Sequence, residues 1–252
     1  MILIEVNAIR RSGHHAFINW LISNIHNVPY TENLCKNKYN VILGNKKILW
    51  VNEGEWGVKQ NIDFITERKD RMDIVIISYE QITKEINYDP NYSVLTKELK
   101  DKWGVVEHIQ IPFVRDYYNN MASLLKINNK NKNPIPFKNS YPLYIKAYKG
   151  QLKHVIEGIR GVIYDKWVSE PEYALKVCLK ILGKVNQYHP LSLGGTGSSF
   201  GKGKQDMGSL LNRYKTVKFP KWVMDKKQND IELNKLIKQI GFEKHDIEIQ
   251  EN

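Results

Sequence analysis

Ile2-Leu3-Ile4-Glu5-Val6-Asn7-Ala8-Ile9-Arg10-Arg11-Ser12-Gly13-His14-His15-Ala16-Phe17-Ile18-Asn19-Trp20-Leu21 runs from a short apolar stretch through a basic turn into residues with helical apolar spacing. The first part predicts a strand, and Phe17, Trp20, Leu21 and Ile25 at i, i+3/i+4 spacing predict a helix from about Gly13 to Asn27 that packs on a sheet. A strand that delivers a glycine turn onto a helix N-terminus aims unpaired backbone N–H groups and the positive end of the helix dipole at one point. Phosphate or sulfate is the expected occupant. Working outward, Lys47 to Asn52, Asp73 to Ser78, Val105 to Val114 and Gly161 to Tyr164 read as further strands. Helical patterns fall between them, from Tyr117 through Met121, Leu124 and Leu125, and after Ser169-Glu170-Pro171, where Ser169 offers an N-cap and Gly183 a stop. Strands alternating with helices predict an α/β fold of three layers, α/β/α, with a mainly parallel central sheet of the P-loop NTPase kind.

The turn differs from a standard P-loop. In G-x-x-x-x-G-K-[ST] the lysine reaches phosphate and the hydroxyl holds magnesium. Here Ala8 stands at the first glycine position, and His14 and His15 take the last two places. That substitution points to an anion handled without metal.

The chain has 252 residues, which fits one domain. Residues 127–149, rich in Asn, Lys, Pro and Tyr, read as an irregular excursion that contacts an acceptor or as a disordered insertion. From about 215 to 252 a lysine-rich tail with one helix, Ile231 to Ile240, is expected. Lys and Arg exceed Asp and Glu, 38 against 27, giving a net charge of +11. This favours an acidic ligand, although lysines scattered among asparagines also read as a compositional bias. Cys35 and Cys178 match no metal-ligand spacing, and no apolar run is long enough to span a membrane. A soluble, cytoplasmic protein is expected. Trp20, Trp50, Trp56 and Trp167 read as core residues.

Arg11-Ser12-Gly13-His14-His15 after a strand resembles the 5′-phosphosulfate loop of the sulfotransferases. Ile111-Pro112-Phe113-Val114-Arg115-Asp116-Tyr117-Tyr118-Asn119-Asn120-Met121-Ala122-Ser123 resembles that family's 3′-phosphate motif, in which an Arg ends a strand and a Ser follows eight residues later on the next helix. Val162-Ile163-Tyr164-Asp165-Lys166-Trp167-Val168-Ser169-Glu170-Pro171 is similar to the family's strand, Tyr and Pro-initiated helix. Gly194 to Lys204 stands where such enzymes carry a Gly- and Lys-containing loop around the 3′-phosphate, without matching its pattern. The Ser-Gly-His-His turn is an atypical variant.

The resemblance implies a transferase that moves a sulfuryl group from 3′-phosphoadenosine 5′-phosphosulfate to an acceptor hydroxyl or amine, leaving adenosine 3′,5′-bisphosphate and needing no metal. It implies that Arg11, with Arg10 as a shifted alternative, Ser12, Gly13, His14 and His15 hold the phosphosulfate. Arg115 and Ser123, with Gly197 and Lys202 from the late Gly-rich stretch, would take the 3′-phosphate, and Tyr164 would lie near the adenine. The acceptor would be a small molecule or carbohydrate, and nucleic acid is not expected. The base must stand at the carboxyl end of a strand, within about 3 Å of the acceptor oxygen. Glu80, then Glu53, then Glu55 meet that requirement, whereas His108 begins its strand and falls at the wrong end. Two other readings stay open: a nucleotide kinase or nucleotide-binding protein on the same loop, and a non-catalytic binder of polyanions through lysines interleaved with aromatics such as Tyr141 to Tyr148.

Overall fold

A computed structural model describes residues 1–9, 11–26, 39–42, 46–53, 63, 65–81, 97–130, 137–158, 160–184, 207–242, 247 and 249–250. Six strands form the central sheet: β1 (Ile2–Ile9), β2 (Tyr39–Ile42), β3 (Ile48–Glu53), β4 (Ile74–Gln81), β5 (Glu107–Val114) and β6 (Val162–Ile163). Their order is β2-β3-β4-β1-β5-β6, and every neighbouring pair is parallel except β2 with β3. The antiparallel edge strand β2 has no counterpart among the strands read from the sequence.

The central strand β1 is buried on both faces, which is why its sequence is a near-continuous apolar run rather than an alternation. On one face Ile4, Val6 and Ala8 pack under helix α1 (His14–His26), with Phe17, Ile18, Trp20 and Leu21 at the contact. On the other, Leu3, Leu49, Val51, Val75 and Ile77 pack with Ile65 and Trp103, the latter just beyond helix α2 (Lys97–Lys102). Helices α3 (Tyr117–Lys130) and α4 (Phe137–Glu157) carry the chain from β5 to β6. The short α5 (Tyr164–Ser169) and α6 (Pro171–Leu182) follow, and α6 returns to the α1 side through Ala174, Val177, Cys178 and Ile181. The result is a three-layer α/β/α fold. Trp20, Trp50 and Trp167 are core residues, and Trp56 and Cys35 lie outside the described residues.

Three local expectations change. Residues 137–149 are not irregular: they belong to α4, because Tyr141, Tyr144, Ile145, Tyr148 and Leu152 recur at helical spacing and bury a continuous stripe. Pro142 sits near the start of that helix, where its missing N–H costs a single intrahelical bond. The segment from 215 carries the expected helix over Ile231–Ile240 but is more than a lysine-rich tail. It folds as strand β7 (Phe219–Pro220), helices α8 (Lys221–Asn229) and α9 (Ile231–Ile240) and strand β8 (Ile249–Gln250), with Phe219, Val223, Leu233, Leu236 and Ile240 inserted against α3 and α4. The Asp230 carboxylate caps α9 by accepting the Leu233 N–H at 2.9 Å. Ser169 is not the cap of α6. Its hydroxyl donates back to Asp165 O at 2.8 Å, and Glu170 takes the cap position with Pro171 first in the helix. Among the described residues no helix is long and apolar enough to cross a membrane.

Candidate anion site at the carboxyl ends of the sheet

The chain leaves β1 toward β3 and leaves β5 toward β6, so the connections diverge between two adjacent parallel strands. Such a switch point opens a crevice at the carboxyl ends of the strands. The turn after β1 forms one wall. Ser12 N donates to Ile9 O at 3.1 Å, Arg11 has φ 69° and Gly13 φ 93°, and Ala16 N returns to Gly13 O at 3.1 Å to start α1. A left-handed residue that is not glycine is a strained position, of the kind that clusters at ligand-binding turns. Gly13 is required twice over: by its positive φ, and because a Cβ there would lie 2.5 Å from Tyr164 Cε2.

Behind Gly13, the Arg115 guanidinium carbon stands 4.5 Å from the centroid of the buried Tyr164 ring. Arg115 is itself only 1% exposed; it donates to Leu210 O, and its backbone carbonyl accepts the Tyr148 hydroxyl at 2.6 Å. Its Nε has no hydrogen-bond partner among the described residues. From the same turn as Gly13, Arg11 Nε donates to Ser123 Oγ at 3.4 Å. The structure therefore brings Arg11, Gly13, Arg115, Ser123 and Tyr164 together.

A third guanidinium, which the sequence reading did not single out, joins them. Arg213 lies in a 3₁₀ turn (Arg213–Thr216) just after the short helix α7 (Met207–Leu211) and is 6% exposed. Asn119 holds this turn: its Nδ2 donates to Leu211 O at 2.7 Å and its Oδ1 accepts Arg213 N at 2.9 Å. Burial, with the positive charge of Arg115 and Arg11 nearby, lowers Arg213 to about 9. Two buried cations beside a half-buried third are costly to assemble, and a bound anion relieves that cost.

Acidic groups partly offset the charge. Asp165 Oδ2 accepts Asp116 N at 2.6 Å, and Asp116 Oδ1 accepts Asn119 N at 2.9 Å at the start of α3. Burial and the neighbouring Asp116 raise Asp165 to about 6.

His14 is buried, with Ser12 Oγ 3.4 Å from its Nδ1 and the His15 ring centroid at 4.2 Å. Burial, then the charges of His15 and Arg11, hold it neutral. His15 is half-buried, its ring 5.5 Å from that of Trp50. Glu53 and Glu80 fall at the carboxyl ends of β3 and β4, where the register sets Glu53 opposite Tyr79 and Glu80 opposite Ala8. Arg10, Glu55, Gly197 and Lys202 lie outside the described residues.

His108 stands at the other end of its strand from Arg115, where its Nε2 is 2.6 Å from Glu5 Oε2 and its Nδ1 is 2.8 Å from Lys100 Nζ. Tyr141, Tyr144 and Tyr148 are buried, so they provide no exposed aromatic face beside the lysines.

No family model matches the sequence, and no curated protein matches it either.

Proposed function

We propose that this chain transfers a sulfuryl group from 3′-phosphoadenosine 5′-phosphosulfate to a hydroxyl or amine of a small-molecule or carbohydrate acceptor. The observation that carries the reading is the meeting of two segments 112 residues apart, Arg11 on Ser123, beside a buried Arg115 whose Nε has no hydrogen-bond partner among the described residues. Those residues fit an adenosine that carries an anionic group at both its 5′ and its 3′ position. The backbone N–H groups opening α1 and the Arg11 guanidinium receive the 5′ end. Arg115, Ser123 and Arg213 receive a 3′-phosphate, the group that distinguishes this donor from ATP.

In this reading Arg11 stabilises the charge that grows on the departing phosphate as the sulfuryl group moves. Preorganised donors supply such stabilisation without reorganising at the moment of reaction. Glu80 or Glu53, at the same end of the sheet, accepts the proton released by the acceptor. Neutral His14 supplies no cation where a P-loop nucleotide enzyme places its lysine, which favours this reading over phosphoryl transfer. A thermal-shift panel of adenosine 3′,5′-bisphosphate, ATP with magnesium, and an oligonucleotide tests the three readings together. Selective stabilisation by the bisphosphate is the expected result, and a shift with the oligonucleotide alone refutes the proposal.

A further inference from the structure

The Arg115–Arg213 wall carries a negative group of its own. Asp165 follows Tyr164 directly, and its Oδ2 is engaged by the Asp116 N–H at 2.6 Å. Its Oδ1 is sealed from solvent and has no hydrogen-bond partner among the described residues. A buried carboxylate oxygen left without a donor is costly, and a proton placed on it lowers that cost.

We propose that Asp165 is the counter-charge that tunes this site: its carboxylate competes with an incoming anion for Arg115 and Arg213, and anion binding is coupled to uptake of a proton on Asp165 Oδ1. The inference rests on the anion-binding part of the proposed function and adds a residue that sets its affinity and pH response. A dianion placed beside the arginines also stands close to the carboxylate, and two like charges sharing a buried site drive one of them to protonate. The proton comes from the solvent and forms an O–H bond on Oδ1; no other covalent bond is made or broken.

Among the described residues, five titratable or charged groups surround Asp165. Asp116 and Arg115 come from the junction of β5 and α3, Arg213 from the 3₁₀ turn, Tyr164 from the same short helix and Tyr148 from α4. Burial raises both tyrosines, so neither loses its proton between pH 5 and 8. Asp116 is tied to the first turn of α3 through the Asn119 N–H. Asp165 starts from about 6, so a bound anion that raises it further carries its titration across neutral pH. Linkage fixes the sign: affinity rises as pH falls, by up to about tenfold per pH unit between the free-site and bound-site values.

The test is calorimetric titration with inorganic sulfate, a dianion that does not itself titrate in this range, from pH 5 to 8. Wild-type protein and Asp165→Asn are compared, the amide oxygen still being able to accept the Asp116 N–H. The expected result is that Asp165→Asn binds sulfate about tenfold more tightly than wild type at pH 8 and equally at pH 5. In two buffers of unlike ionisation heat, wild type takes up a proton near pH 7 and the variant does not. Equal affinities at pH 8 without proton uptake by wild type overturn the inference, as does a lack of sulfate binding at every pH. If the variant does not fold, the wild-type proton count decides alone. Sulfate binding with this pH response, but no binding of adenosine 3′,5′-bisphosphate, supports the counter-charge role and refutes the sulfotransferase reading instead.

Discussion

Arg11 Nε donates to Ser123 Oγ at 3.4 Å, joining the turn after β1 to the middle of the helix that follows β5. The two residues belong to separate sequence elements, and the sheet makes them neighbours because β1 and β5 are adjacent and parallel. Ser123 is completely buried, so its hydroxyl is available only to groups that enter this crevice. Replacing Ser123 by Ala is therefore expected to weaken adenosine 3′,5′-bisphosphate binding by about tenfold, the worth of one hydrogen bond to a charged group. Circular dichroism should show the fold unchanged. Affinity within twofold of wild type would remove Ser123 from the site.

Arg115 makes a sharper test. Its guanidinium is fixed by Tyr164 and Leu210 O, and its backbone carbonyl is held by the Tyr148 hydroxyl. Arg115→Ala should reduce bisphosphate affinity by about a hundredfold and ATP affinity little, since ATP lacks a 3′-phosphate. A parallel loss for both nucleotides in the same titration would assign Arg115 to the fold rather than to recognition.

Gly13→Ala should damage both fold and site. The new methyl would meet Tyr164 Cε2 at 2.5 Å on a backbone with φ 93°. Displacing a buried ring and straining a left-handed residue should cost about 1–3 kcal/mol, read as a lower melting temperature, with bisphosphate binding lost. Unchanged melting and binding would mean that Tyr164 does not rest on this turn.

Glu5 is fully buried in the central strand and bonded by His108, Gln110 and the Tyr79 hydroxyl. Burial raises its carboxyl, but these bonds outweigh it and leave the group below the ordinary glutamate value. A carboxyl depressed in the folded state contributes stability that is present above its unfolded value and lost as pH falls through the folded one, here below about 4.5. His108→Ala leaves that charge without its closest partner and should cost about 3 kcal/mol in urea denaturation at pH 7. Adding Glu5→Leu should recover most of the loss; a double variant as unstable as His108→Ala would contradict this.

The two candidate bases separate by kinetics. Exchanging the true base for its amide, Glu80→Gln or Glu53→Gln, should lower kcat by about 10²–10⁴-fold with donor affinity retained. The other exchange should leave kcat within a few fold. Full activity in both variants would place the proton acceptor elsewhere.

The parallel strands were legible because each is a short apolar run between turn signals, as in Asp73 to Ser78. The edge strand β2 was not: Tyr39-Asn40-Val41-Ile42 is brief and lies among asparagines and lysines. Helix α4 hid because its buried stripe is mostly tyrosine, whose hydroxyls count as polar until they find partners such as Asn120 Oδ1 and Arg115 O. Arg115 and Ser123 were singled out by the resemblance of their segment to the sulfotransferase 3′-phosphate motif. Arg213 was not. Its place depends on Asn119, 94 residues earlier, gripping the turn that carries it.

The most direct test is a calorimetric titration of the wild-type chain with adenosine 3′,5′-bisphosphate and, separately, with ATP and magnesium. The account predicts saturable one-to-one binding of the bisphosphate at least tenfold tighter than that of ATP. ATP with magnesium binding as tightly as the bisphosphate, or more so, would contradict it.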